Sequence, residues 1–257
     1  MRFLTILYLL LLSPLTWAEE IHVAVAANFL EPLKKLATIF QTETQHSIKI
    51  SSGSTGQLYA QIKHGAPFDI FLAADTKRPK ILVSEDIALP ESLFVYAQGQ
   101  LVLWSKQSGL FENDQAQAIA FLKKADFNHF AVGNVKTAPY GTAAKQVLDK
   151  LDLWSLLNDK IVQGANVGQT YQFVATESAE IGFIALSHHL AKKDNATASY
   201  WIVDNALYDP IQQAGVILKR TAHLALAQQF MTFLQSDTAK THIQTFGYHT
   251  LNDRHAN

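Results

Sequence analysis

Ile48-Lys49-Ile50-Ser51-Ser52-Gly53-Ser54-Thr55-Gly56-Gln57-Leu58 carries the pattern that decides the fold class. An apolar run ends at Ile50, and Leu58, Ala60, Ile62 and His64 then follow as an apparent helix. The junction between them is small and rich in hydroxyls, with two glycines and no charge. Backbone N–H groups and O–H donors at such a strand-to-helix junction can hold a small anion without a countercharge. Alone, the stretch reads first as an ordinary βα loop with a Ser N-cap, so its weight depends on what surrounds it.

Outward from this junction, strands and helices alternate. Ile21–Ala27, His46–Ile50, Asp69–Ala73, His129–Val132, Ile161–Val162, Ile181–Leu186 and Ala214–Leu218 read as strands. Leu30, Leu33, Leu36 and Phe40 recur at helical spacing after the first of them. Leu224–Phe246 reads as one C-terminal helix. The pattern predicts an α/β fold with largely parallel sheets. Two segments, Tyr96–Gln100 and Val203–Gln213, read as crossings between lobes. Residues 19–98 and 205–257 would then form lobe I and residues 99–204 lobe II, with the ligand cleft at the strand ends between them.

Three further junctions share the chemistry of the first. Asn28 with Glu31, Ser54 with Gln57, and Asn166 with Gln169 each show a cap residue and a partner three positions on. Pro139 suits the first turn of a fourth helix, where its missing N–H costs nothing. Every helix needs a cap, so each signal taken singly is structural. Four helix N-termini facing one cleft would jointly surround a dianion with N–H donors and partial positive charge. Lys136 is the only basic residue within these loops, and Glu31 must turn back onto its cap. A site made of donors alone also discriminates. A protonated oxyanion such as hydrogen phosphate leaves an O–H without an acceptor there, at roughly 1–3 kcal/mol when buried.

The chain has 257 residues, 48% of them hydrophobic, enough for a large core. Its net charge of −1 gives no bulk field favouring nucleic acid. With no cysteine it has neither disulfides nor thiolate metal sites. Arg2, the apolar run from Phe3 to Leu12, Pro14 and Thr16-Trp17-Ala18 form a secretory signal peptide over residues 1–18, cleaved after Ala18. The mature protein is therefore expected outside the cytoplasm, in the periplasm. Asn195-Ala196-Thr197 matches a glycosylation acceptor, a triplet that arises often by chance.

AVAANF (24–29), ISSGSTGQLYAQI (50–62), GAPFDIFLAAD (65–75), LVLWS (101–105), APYG (138–141), NVGQ (166–169), EIGFIAL (180–186) and FMTFL (230–234) together resemble the molybdate-binding proteins of bacterial ABC transporters, the ModA family. The resemblance spans the mature chain. It implies a type II periplasmic binding protein fold, two α/β lobes joined by a two-segment hinge and closing on one tetrahedral oxyanion. It implies capture of molybdate and tungstate and their delivery to a membrane permease driven by an ATPase, by a monomer that is not an enzyme and carries no cofactor. Position by position, it implies contacts from the Asn28 side chain and amide, the Ala27 amide, the Thr55 hydroxyl and amide with Ser54 close by, and the amides of Tyr140 and Val167. Ala185 stands where some members have a ligand-contacting tyrosine.

Two other readings compete. The same architecture would suit sulfate or another tetrahedral oxyanion. A hydrolase with Ser54 or Thr55 as nucleophile would need a histidine base, and His64 lies roughly 14 Å away along a helix. His188-His189 suggests a metal only superficially, because adjacent residues point in different directions.

Overall fold

The computed structural model describes residues 18–191 and 197–250. The signal peptide before Ala18 and the triplet at Asn195 therefore fall largely outside the described residues. The strands are β1 (Glu20–Ala26), β2 (Ser47–Gly53), β3 (Ile70–Leu72), β4 (Phe94–Gly99), β5 (Leu101–Ser105), β6 (Phe130–Gly133), β7 (Ile161–Gly164), β8 (Ile181–Ala185), β9 (Ser199–Ile202) and β10 (Ile211–Ile217). The α-helices are α1 (Leu30–Thr44), α2 (Thr55–Lys63), α3 (Lys77–Ser84), α4 (Gln115–Lys124), α5 (Pro139–Lys150), α6 (Trp154–Leu157), α7 (Val167–Ala175), α8 (Leu186–Leu190), α9 (Leu224–Phe233) and α10 (Asp237–Gln244).

Two five-stranded sheets form, in the orders β2-β1-β3-β10-β4 and β7-β6-β8-β5-β9. The first takes strands from both ends of the chain and the second from its middle, which gives two lobes of an α/β fold. Val23, Val25, Ile70 and Leu72 are fully buried where the first sheet meets Leu33, Leu36 and Phe40 of α1. Phe130, Val132, Ile181 and Phe183 do the same in the second sheet against α5. Among the described residues, no helix is long and apolar enough to cross a membrane.

The sheets are mixed, where largely parallel ones were expected. β1, β2 and β3 are parallel, but β10 runs antiparallel to both β3 and β4. In the second sheet β6 is parallel to β7 and β8, while β5 is antiparallel to β8 and β9. The cause lies in the crossings. β5 and β10 are the first strands laid down after the chain changes lobe, so each enters its sheet from the cleft side, against the strands that run toward the cleft. Only Gln100 separates β4 from β5; its carbonyl accepts from Leu186 N–H and its amide donates to the Gly247 carbonyl, both at 3.0 Å. The segment read as one C-terminal helix is two. Ser236 breaks it by capping α10, its hydroxyl accepting from Ala239 N–H at 3.2 Å. Strand β9 and helices α3 and α4 carry no pattern strong enough to have been read beforehand.

Candidate functional site

Four strand-to-helix turns converge. Ala27, Asn28, Ser54, Thr55, Tyr140 and Val167 all line one small pocket between the lobes. Each of the six is buried, Ala27 at 8% exposure being the most open. None of the cavity's lining residues is charged. Ala185 is fully buried in β8 and is not among them.

The Ser54 turn follows from its own sequence. Ser54 Oγ accepts from Gln57 N–H at 3.3 Å, and the Gln57 side chain accepts from Ser54 N–H at 3.4 Å, a reciprocal capping box. Thr55 Oγ1 accepts from Ala74 N–H at 3.0 Å. Both hydroxyls thus serve the backbone as acceptors, which leaves each O–H proton for another acceptor. Gly56 N–H donates across the cleft to the Thr137 carbonyl at 2.8 Å. A side chain at Gly56 would meet Thr137 Cβ at 2.9 Å, so this close approach requires glycine.

Lobe II contributes helix starts. Asn166 caps α7, its Oδ1 accepting from Gln169 N–H at 3.0 Å, which leaves the Val167 N–H at the first helical position. Pro139 opens α5 and has no N–H, so Tyr140 carries the first unpaired amide of that helix. Both helix ends bring partial positive charge.

The Asn28 turn departs from expectation. Asn28 does not cap α1; it lies inside a 3₁₀ turn, Ala27–Phe29, and α1 begins at Leu30 with no side-chain cap. Glu31 turns to Lys34 at 2.8 Å instead of back to a cap. With the cap role gone, the Asn28 side chain is held by residues remote in sequence. Its Nδ2 donates to Gln213 Oε1 and to the Tyr248 hydroxyl, both at 2.9 Å. The Asn28 carbonyl accepts from Ser187 Oγ and Tyr248 Oη, both at 2.8 Å. Tyr96 adds a further bond to Gln213 at 3.1 Å. Sequence reasoning missed Gln213, Tyr96, Tyr248 and Ser187, which sit far away along the chain with no local signature.

The surrounding tyrosines stay protonated. Burial pushes the Tyr96 and Tyr140 phenols well above their ordinary value and Tyr248 up to about 12. His188 is buried beside this turn, stacked on Tyr171 with ring centroids 5.2 Å apart. Desolvation pulls it down to about 4, against the opposing effects of a hydrogen bond to the Ala27 backbone and the charge of Glu31. It is therefore neutral at pH 7. His64, the base a hydrolase would need, is exposed at the far end of α2. Lys136 is also exposed and, with Arg78, lines a separate groove.

Residues 21–249 match the family model of the bacterial extracellular solute-binding proteins. The molybdate-binding protein ModA of Azotobacter vinelandii is 44% identical over 238 residues, 93% of each chain. That of Rhodobacter capsulatus is 41% identical, over 91% of this chain and 89% of its own. The solved structure of the Azotobacter vinelandii periplasmic molybdate-binding protein superposes with a TM-score of 0.84 at 39% identity, covering 89% of this chain and 98% of that one. The Mycobacterium tuberculosis sulfate-binding protein SubI, at 11% identity and a TM-score of 0.70, shares the fold alone. The chain belongs to the bacterial extracellular solute-binding proteins and, within them, to the ModA family.

Proposed function

We propose that this protein is a periplasmic binding protein that captures molybdate, and tungstate with it, and delivers the anion to an ABC permease. The reading rests on one observation above all: a small pocket formed by four turns of both lobes, with donors in its lining and no charged side chain. Residues 19–98 with 205–257 act as lobe I, residues 99–204 as lobe II, and the crossings at Gln100 and near residues 203–213 act as the hinge. The amides of Ala27, Asn28, Tyr140 and Val167, the Thr55 amide and hydroxyl, and the Ser54 hydroxyl donate to the anion's oxygens. Each donor to the charged ligand contributes roughly 1–3 kcal/mol. Closure buries the anion and presents a composite surface of both lobes to the permease. The protein works as a monomer, without catalysis and without a cofactor; the metal arrives only as its oxyanion. The relatives' names and the secretory pattern of residues 1–18 support this reading.

Calorimetric titration at pH 7 with molybdate, tungstate, sulfate and phosphate tests it. Micromolar or tighter binding of molybdate and tungstate, with no phosphate uptake, is expected. Tight sulfate binding in place of molybdate would move the protein to the sulfate class, and phosphate binding without molybdate would end the proposal.

A further inference from the structure

Asn134, directly after β6, organises the turn that leads into α5. Its Oδ1 accepts from the Lys136 and Thr137 N–H groups at 2.9 and 3.0 Å, and its carbonyl accepts from Ala138 N–H at 2.9 Å. In a planar trans peptide the N–H and the C=O point in opposite directions. Thr137 N–H shares its peptide with the Lys136 carbonyl, and Ala138 N–H shares its own with the Thr137 carbonyl. Holding both N–H groups on Asn134 therefore turns two consecutive carbonyls outward.

Lobe I meets each of these carbonyls with one donor. Gly56 N–H reaches the Thr137 carbonyl at 2.8 Å, and Arg78 Nη2 reaches the Lys136 carbonyl at 3.2 Å. Asp75 aims the arginine: its Oδ1 accepts from Arg78 N–H at 2.9 Å and its Oδ2 from Nη1. The two side chains are only 21% and 19% exposed, so this is a largely desolvated charged donor, stronger than a surface one. Neither residue lines the anion pocket. Both donors nevertheless flank it. Gly56 follows Thr55, and Asp75 follows Ala74, whose N–H is bonded to Thr55 Oγ1. The accepting turn runs straight into Pro139 and Tyr140. The two cross-lobe bonds thus clasp the Thr55 turn to the Tyr140 turn, and the lobes cannot part on this side of the pocket without breaking both.

We propose that Arg78, aimed by Asp75 and received by the turn that Asn134 organises, is a closure latch that sets how long the anion stays bound without touching it. The inference rests on the oxyanion reading above. A cation this near an anion pocket invites the role of countercharge, but its guanidinium is committed to a carboxylate and to a carbonyl of the opposite lobe. The latch bond exists only when the lobes meet. It is therefore absent when the anion first arrives and acts on release, which requires the lobes to separate.

The test is the rate of uptake of radiolabelled molybdate and of its release into excess unlabelled molybdate. In Arg78→Ala, release should be about tenfold faster, a factor typical of one hydrogen bond, with uptake within about twofold of the unaltered rate. Asn134→Ala leaves every charge in place and lies outside the pocket. It should also speed release by about tenfold or more, and adding Arg78→Ala to it should change little further. Slower, salt-sensitive uptake with unchanged release in Arg78→Ala would make the arginine an electrostatic attractor and overturn the proposal. Unchanged rates in a folded Arg78→Ala protein, or fully additive effects in the double variant, would overturn it as well. If Asn134→Ala does not fold, Arg78→Ala decides alone. Failure of the unaltered protein to bind molybdate would instead strike the oxyanion reading itself.

Discussion

The Ser54 and Asn28 turns lie side by side in one lobe and line the same cavity, yet they are built in opposite ways. Ser54 takes its cap from Gln57, three residues on, and Thr55 takes a backbone donor from Ala74. Asn28 is fixed by Ser187, Gln213 and Tyr248, which lie 159, 185 and 220 positions away. One turn is determined by local chemistry, the other by the assembled lobes. The Asn28 turn ties the two lobes together, because Ser187, which donates to its carbonyl, sits on α8 of the other lobe. The first kind takes its caps from its own lobe and meets the other only through the Gly56 N–H, which donates to the Thr137 carbonyl at 2.8 Å.

That contrast can be broken most severely at Asn28. Asn28→Asp places an acceptor-only, ionisable group against the anion, and molybdate affinity by calorimetry should fall by at least about 100-fold, or roughly 3 kcal/mol. Thr55→Ala removes a single donor and should cost about tenfold, near the lower part of the 1–3 kcal/mol range for a bond to a charged ligand. Equal losses at the two sites would erase the distinction.

Acid sharpens the comparison next. His188 touches the Asn28 turn, and its pKa lies at about 4 in the fold, below its ordinary value of 6.5. The unfolded chain therefore binds the extra proton between those values, so the stability that depends on neutral His188 is complete above pH 6.5 and declines as pH falls toward 4. Chemical denaturation at pH 7 and pH 5 should differ by about 1–2 kcal/mol from this residue. His188→Gln should flatten the dependence. Ser54→Ala should cost about 1 kcal/mol of stability through the lost cap, measured by the same method, with no change in its pH profile.

How much of this was legible beforehand follows the same division. The capping box at Ser54, the Asn166 cap and Pro139 at the start of α5 depend on residues within a few positions, and all appear as read. Asn28 has the same local pattern with Glu31, but its side chain is outcompeted by buried partners brought in by β10 and by the turn at Tyr248. Periodicity could show apolar strands such as β1 and β8. It could not show their direction, because parallel and antiparallel neighbours bury the same side chains; the antiparallel course of β5 and β10 follows from the crossings. Tyr200 and Trp201 of β9 alternate too briefly to signal a strand. The convergence of four turns on one cavity is a property of the folded pair of lobes.

The central claim is that uncharged donors alone hold the anion. Lys136 is the basic residue nearest in sequence to these turns, and it stands exposed outside the cavity. Solvent screening of so exposed a charge should leave it little influence. The most direct measurement is the molybdate affinity of Lys136→Ala at moderate salt: a change below about threefold, under 1 kcal/mol, is predicted, and a loss of about 50-fold or more would contradict a site built without countercharge.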